Sequence, residues 1–468
     1  MQHSIVFKSL LNEESRIDSE YYTPDNLVRD EAVKKSQYKL LGDICTITAG
    51  PFGSTVTTDR YDPESVCRYI RGKDIQSFFV ETNDSVFVDR HLFHDLSQFH
   101  VKAEDILITV VGMKFGKTAI IYGEDCPAIF SCKSTLLRNS KVNIYYLVTY
   151  LSSNVGYGLL RRGQRGAAQP GINLFDIRNV PVPIFSKDFQ SEIASLVCRA
   201  RLCIVESSDV YQKAQQLLLS ELGLSDWQPK QRLTFVKKYS DADKAARFDA
   251  EYFQPKYDEI VKAIKSYPGG HSFVGKEFKQ NKSVFKPNAA QTYHYVEIGS
   301  INVSTGEIAT SEVVGAELPA NAKRIIKKNE VIVSKVRTYR GAMAIVDYDS
   351  LIGSGAFTVL RENGKINKET LLAFLRSKPL LAWSLKPNTG TSYPVILDDD
   401  ILQLPIPLFS EDTQNDVKLK INESLNLRKQ SRHLLECAKR AVEIAIEQDE
   451  DAAIKLLDQA EGGMGSAN

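Results

Sequence analysis

The chain repeats itself at domain scale, which confines it to folds built from two copies of one unit. Residues 16–24 read RIDSEYYTP and residues 247–255 read RFDAEYFQP. A second pair follows in the same order, IRNVPVPIFS at 177–186 and ILQLPIPLFS at 401–410. The separations, 231 and 224 residues, are nearly equal. Periods of about 20–50 residues signal solenoids, whereas a period of this length copies a whole domain with its connector. The function should be one that is performed twice.

Each copy reads first as β-rich. The segments VKAEDILITVVGMKFGKTAIIY from Val101 and IKKNEVIVSKVRTYRGAMAIVDY from Ile326 set β-branched runs around a polar, glycine-bearing turn, with Gly116 matching Gly341. Tyr69-Ile70 matches Tyr295-Val296, and Leu136-Leu137-Arg138 matches Val359-Leu360-Arg361. With one helical stretch near 145–151 or 370–375, these predict an α+β globule of about 140 residues in each copy, at 41–185 and 271–409. Segments 1–40, carrying a short helix, and 224–270, a linker with its repeat, precede them. The repeated phrases are expected to fold there as short helices that buttress the paired long helices, with Tyr21, Tyr22, Tyr252 and Phe253 as packing anchors.

After each globule the pattern changes at Pro181-Val182-Pro183 or Pro405-Ile406-Pro407, because proline continues neither a ladder nor a helix interior. Long helices are predicted over 186–223 and 410–448. In the first, Ile193, Leu196, Ala200, Cys203, Ser207, Val210, Ala214 and Leu217 alternate steps of three and four. Val417, Ile421, Ser424, Leu427, Ser431, Leu434, Ala438 and Ala441 make a similar stripe in the second. These are heptad seams. Each stripe could dock on its own globule, but small residues on both favour an antiparallel coiled-coil pair separating the two globules. A helix of about 35 residues spans roughly 50 Å. The acidic, Gly-containing end, 449–468, is expected to be disordered.

Composition narrows the function classes. With 468 residues and 43% apolar content, the chain can build two or more soluble cores. No run has membrane-span length and no signal pattern opens the chain, so a cytoplasmic location is expected. Seven cysteines without a CxxC pair fit reduced thiols. A net charge of +1 argues against a nonspecific nucleic-acid binder but leaves room for local basic loops.

Catalytic motifs are few. The run from Gly112 to Thr118, GMKFGKT, resembles a phosphate-binding loop, yet its spacing is one residue short. TAIIY after it reads as strand, and the second copy has Arg340-Gly341-Ala342 in its place. His91, His94 and His100 lack Cys or acidic partners at metal-ligand spacing. Neither an Asn-Pro-Pro-aromatic loop nor a glycine-rich cofactor strand of an adenine methyltransferase is present. The chain is expected to be non-catalytic.

This arrangement resembles the specificity subunit of type I DNA restriction-modification systems. The first copy carries the phrase common in that family after each target-recognition domain: Gly163, Gly166, Gln169-Pro170-Gly171-Ile172-Asn173, Pro181, Pro183 and Gln190. The second has Gly390, Thr391, Ser392, Tyr393-Pro394, Pro405, Pro407 and Gln414. Leu41-Gly42-Asp43-Ile44 and Gly50-Pro51-Phe52-Gly53-Ser54 match the family's usual opening. The second copy departs from it, keeping only Gly275, and Phe189 and Thr413 stand where many members have Glu. The resemblance covers about 16–446.

The resemblance implies two target-recognition domains, each reading half of a split, asymmetric double-stranded DNA site. It further implies helices that set the gap at up to about 15 base pairs, two methyltransferase subunits, and motor-nuclease subunits. No cofactor is expected in this chain; S-adenosylmethionine would sit in the methyltransferase partner, which flips out its target base. Exposed faces of the long helices, with Glu192, Arg199, Glu206 and Lys213 on one and Glu423, Lys429, Arg432 and Glu436 on the other, are candidate docking surfaces.

Base readout needs donors held in fixed geometry. Candidate DNA contacts in the first copy are Arg71, Lys73, Lys114, Lys117, Arg161, Arg162, Gln164 and Arg165. The second offers Lys335, Arg337, Tyr339, Arg340, Lys386, Asn388, Thr391 and Tyr393. The loops at Lys114 and Arg337 hold the same place in both repeats with different side chains, as expected if each reads a different sequence. The other open reading is a duplicated adaptor of a related anti-phage assembly, binding protein rather than DNA.

Overall fold

The computed structural model describes residues 11, 16–82, 84–166, 168–389 and 393–464. The chain divides into two compact units, Met1–Ile204 with Lys429–Asn468, and Val205–Arg428. Each long helix, Lys187–Glu221 and Glu411–Glu447, therefore contributes one half to each unit. Both units mix helix and sheet. Among the described residues, no helix is long and apolar enough to cross a membrane.

In the first unit a four-stranded antiparallel sheet has the order Thr46–Ala49, Ser134–Arg138, Ile106–Thr109, Thr118–Ile120. A second sheet places Cys67–Ile70 between antiparallel Val86–Val88 and parallel Ala128–Phe130. The second unit repeats both. Its four-stranded antiparallel sheet runs Phe278–Gln280, Phe357–Glu362, Val331–Ser334, Met343–Ile345. Its other sheet runs Ser311–Val314, Thr292–Val296, Ser350–Ser354, and adds Ala322–Lys327 at the edge. In the first unit the bridge between His100 and Ile129 stands at that edge. The central runs ILIT and VIVS are buried at every residue, which is why they are apolar without alternation.

The copies also share their polar core. Asp105 accepts the Lys102 amide at 2.7 Å and pairs with Arg138 at 2.6 Å. Glu330 accepts the Lys327 amide at 2.8 Å and pairs with Arg361 at 2.6 Å. A left-handed residue, Glu104 (φ 71°) or Asn329 (φ 69°), turns the chain just before each acid.

Each proline segment forms a two-stranded edge, Pro181–Pro183 with Tyr38–Leu40 and Pro405–Pro407 with His271–Phe273. An edge pairing tolerates the missing proline N–H. The glutamine that opens each long helix then ties it to the globule. Gln190 Oε1 accepts the Asn143 amide at 2.9 Å while its Nε2 donates to the Phe185 carbonyl at 2.9 Å. Gln414 makes the same pair of bonds with Asn367, 2.9 Å, and Phe409, 3.0 Å. Asn143 and Asn367 in turn cap Ile144–Ser152 and Lys368–Leu375.

Three expectations change. Each globule holds two successive helices where the sequence suggested one. Ile144–Ser152 is followed by Asn154–Arg162, and Lys368–Leu375 by Lys378–Trp383, with Ser153 and Ser377 as the N-cap residues of the second helices. The repeated phrases are turns rather than helices, and the helices Pro24–Lys34 and Pro255–Lys265 begin at their final prolines, since proline fits the first helical turn. The acidic end, expected to be disordered over 449–468, is helical over Glu450–Met464, and 465–468 lie outside the described residues. Asp449 accepts the Ala452 amide at 2.8 Å, Glu450 accepts the Ser186 amide at 3.0 Å, and Ala453 and Leu457 are buried. Acidic residues read as a solvated run are here a helix start, where the dipole favours them.

Within the second unit the two helix halves run antiparallel and touch. Ser207 Oγ donates to the Ser424 carbonyl at 2.9 Å, Ser424 Oγ donates to the Ser207 carbonyl at 2.8 Å, and Thr413 Oγ1 donates to Glu221 at 2.7 Å. Ala214, Leu218, Val417 and Ile421 share one core with Val274, Phe278 and Phe374 of the second globule. The half of the first long helix beyond Ile204 thus docks on the second globule, an arrangement that a separate stripe for each globule does not anticipate. In the first unit Ile193, Leu196, Ala200, Cys203, Ser431, Leu434, Ala438 and Ala441 are all buried.

Ser207 and Ser424 are fully buried. Replacing Ser207 by Ala removes one hydrogen bond and should cost about 1 kcal/mol. Ser207→Leu must force the helix halves apart and should cost about 1–3 kcal/mol or more. Urea unfolding of the full chain checks both, and equal midpoints for Leu and Ala would contradict the close approach.

Candidate nucleic-acid interface

At one end of the first globule, backbone bonds staple two loops together. Val111 and Arg165 each bridge to Gly171, and the Gly112 amide donates to the Pro170 carbonyl at 2.9 Å. The Val110 amide donates to the Lys133 carbonyl at 2.9 Å, adding a third turn. Gly50 presses against that turn so closely that a Cβ would lie 2.1 Å from the Ser131 carbonyl oxygen, a contact only glycine permits. A Cβ on Gly72 would lie 3.1 Å from the Lys133 side chain. The loops around 50–54, 71–74, 110–117, 131–133, 163–166 and 168–171 therefore meet at one end.

The second globule repeats the staple. Val336 and Thr389 bridge to Val395, and the Arg337 amide donates to the Pro394 carbonyl at 2.8 Å. Backbone geometry is shared while side chains differ.

The repeated phrases hold these loops from behind. Arg16 Nε donates to Asp18 at 2.8 Å, Asp18 accepts the Tyr21 amide at 3.1 Å, and the guanidinium lies 4.6 Å over the Tyr21 ring. The other guanidinium edge donates to the Gln164 carbonyl at 3.1 Å. In the second copy Arg247 Nε donates to Asp249 at 2.7 Å, Asp249 accepts the Tyr252 amide at 3.0 Å, and the ring lies 4.6 Å away. Its other edge donates to the carbonyls of Pro387 and Asn388, both at 3.0 Å. The arginines hold the Asp18 and Asp249 carboxyls below the usual carboxylate range. Tyr21 with Tyr22 and Tyr252 with Phe253 form matching edge-to-face pairs at 4.8 and 4.9 Å. Expected as anchors for the long helices, these aromatics pack within their own turn and against the candidate loops: Arg162 lies 4.1 Å over Tyr21 and Lys386 5.2 Å over Tyr252.

Several candidate contacts have work inside the fold. Arg161, in the last turn of its helix, donates to the carbonyls of Met113 and Phe115 at 3.2 and 3.4 Å and covers the Phe115 ring. Arg162 bonds the Tyr21 carbonyl at 3.0 Å and pairs with Asp30 at 3.3 Å. Arg71 forms a two-pronged bond with Asp74, both contacts 2.9 Å. Lys117 donates to Gln76, and burial lowers its pKa, with Lys114 adding to the effect. Lys335 pairs with Asp398 at 3.4 Å. Lys386 pairs with Asp258 at 3.6 Å while burial lowers its pKa. Gln164 and Asn388 supply the carbonyls that the clamps bind.

The rest face outward to a greater degree. Lys114 is exposed beside Met113; Lys73, also exposed, reaches Asp84 at 2.6 Å. Arg165 pairs with Asp176 at 2.8 Å but is partly open. In the second copy Arg340 is exposed beside Tyr339, and Arg337 lies 4.6 Å over the exposed Tyr393 ring. Thr391 lies outside the described residues. Lys133, exposed at the third turn, and Phe52, exposed in the glycine-rich opening that packs on that turn through Gly50, carry no local signal that brings the two segments together. Arg16 and Arg247 were visible in the repeat, but their reach across about 140 residues was not.

Arg247→Ala leaves the Pro387 and Asn388 carbonyls without their donor and should cost about 1–3 kcal/mol. Amide exchange should accelerate at 386–389 while the central strand Val331–Ser334 keeps its protection. Arg16→Ala should do the same at 163–166. Exchange unchanged in both loops would mean that the arginines do not hold them.

No family model and no curated protein matches the chain. Among solved structures it is similar to the type I restriction-modification S subunit from M. genitalium, at 12% identity over 90% of this chain and 95% of that one, with a TM-score of 0.37. It is also similar to the HsdS subunit from Thermoanaerobacter tengcongensis, at 14% identity over 91% and 96%, with a TM-score of 0.27. A type IIG restriction endonuclease, BpuSI, aligns over 37% of this chain and 28% of its own, at 10% identity and a TM-score of 0.30. Superpositions of this quality do not carry a functional assignment, which rests on the repeat and the loops.

Proposed function

We propose that the chain is the DNA sequence-specificity subunit of a type I restriction-modification complex. The observation that carries this is the stapled loop pair, built by the same backbone bonds in both copies and furnished with different side chains. A duplicated scaffold with divergent polar loops suits a site whose halves differ. Lys73, Lys114 and Arg165 in one copy, and Arg337, Tyr339, Arg340 and Tyr393 in the other, present the donors that base edges and phosphates accept. Arg71, Arg161, Arg162, Lys335 and Lys386 act behind them, shaping the loops.

In this reading the chain performs no chemistry. Methyltransferase subunits dock on the long helices and hold S-adenosylmethionine, motor-nuclease subunits join them, and the complex works in the cytoplasm. The helices, 35 and 37 residues long, would span about 52–56 Å at 1.5 Å per residue. As an antiparallel pair they set the gap between half-sites.

Two measurements test this. The purified chain with its methyltransferase partner, challenged with random duplex pools, should select a bipartite motif with a constant gap. Selection of no motif, with methylation indifferent to the chain, overturns the proposal. Inserting one heptad into only one long helix should change the gap or abolish assembly and leave each half-site intact. A changed half-site with an unchanged gap would reverse the roles given to loops and helices.

A further inference from the structure

We infer that Arg337 is the specificity-determining side chain of the second loop pair, presenting its guanidinium to the major-groove edge of a guanine. This rests on the DNA-reading role proposed above and adds a residue and a base to it.

Comparison of the two copies singles the residue out. Arg337 sits in the left-handed region, φ 50° and ψ 44°, and is followed by the short 3-10 turn Thr338–Arg340. Its counterpart is Gly112, φ 109°. The amides of both donate to a proline carbonyl, Pro394 or Pro170, and both carbonyls accept an amide three residues on, Arg340 at 2.9 Å or Phe115 at 3.1 Å. Gly341, φ 82°, and Gly116, φ 90°, come at the same distance along the chain. The loop therefore needs a left-handed residue there, and glycine supplies it without steric cost. A branchless arginine stem still carries a Cβ, so the second copy holds a strained residue where its sibling shows that none is required.

Among the described residues no ion pair offsets that strain, and Arg337 is half-buried. A Cβ built on Gly112 meets no atom within 4 Å, so the first copy leaves open space at this point of its loop. The guanidinium of Arg337 instead lies 4.6 Å from the ring centroid of Tyr393, itself 66% exposed. Among the described residues Arg337 has no carboxylate partner, unlike its neighbour Lys335, which is neutralised by Asp398. Stacking on an aromatic face restricts the guanidinium plane while leaving its N–H fork free. A fixed, uncompensated fork matches the O6 and N7 acceptors of guanine. Strain retained at a half-buried donor oriented by an exposed ring is the pattern of a functional position.

The test compares the wild-type chain with Arg337→Gly and Arg337→Asn, each assembled with the methyltransferase partner and selected from random duplex pools. Asparagine tolerates the left-handed region, so one variant remains interpretable if the other fails to fold. Both should melt at or above the wild-type temperature. Both should keep the bipartite motif and the first half-site, but lose preference for guanine at one position of the second half-site by about tenfold or more. Binding weakened evenly at every position, with the motif unchanged, would make Arg337 a phosphate contact and overturn the inference. An unaltered motif at unaltered affinity would overturn it as well. A wild-type complex that selects no motif sinks the DNA-reading proposal itself, a result distinguishable from either.

Discussion

Each unit's candidate loop depends on a half-buried guanidinium that satisfies backbone carbonyls. Arg16 and Arg247 each use one edge to bind an aspartate two residues on, and the other to bind carbonyls at the base of a distant loop. Charged donors make stronger hydrogen bonds than neutral ones, and a carbonyl left without a donor in a part-buried setting is costly. The clamp thus turns a flexible crossing segment into a fixed one. Aromatic neighbours Tyr21 and Tyr252 cover the guanidinium and restrict the water that would weaken the bond.

A fixed base allows a variable tip. The staple at Gly171 or Val395 depends on backbone groups alone, so side chains on either loop can change without undoing it. The two copies differ most in those side chains, Gly112 against Arg337 and Lys114 beside Met113 against Tyr339. The second sheet also gains Ala322–Lys327 as an edge strand where the first has one bridge. Shared clamps and divergent tips are what a duplicated reader of two different half-sites requires.

Much of this was legible in the chain. Repetition marks a polar pattern that local turn chemistry imposes, and the Arg-x-Asp turn, the proline edge and the helix-opening glutamine all recur. Heptad spacing marked the seams, whose residues are buried except for the half-buried Leu217 and Leu427. The tail was misread because an acidic run has two physical meanings, a solvated coil or the first turn of a helix, and only the burial of Ala453 and Leu457 decides between them. Arg161 and Arg162 end a second helix that the break at Ser153 hides from the sequence pattern.

By itself the sequence determined that the fold is duplicated, where the strands and long helices lie, and which loops carry donors, because periodicity and turn chemistry are local properties. Tertiary structure decided which donors are free. Arg162 and Arg337 are equally basic on paper, yet one is held by Asp30 and the Tyr21 carbonyl while the other rests on an exposed ring. A side chain's availability depends on carboxylates and carbonyls brought to it from far along the chain, and only folding sets those distances.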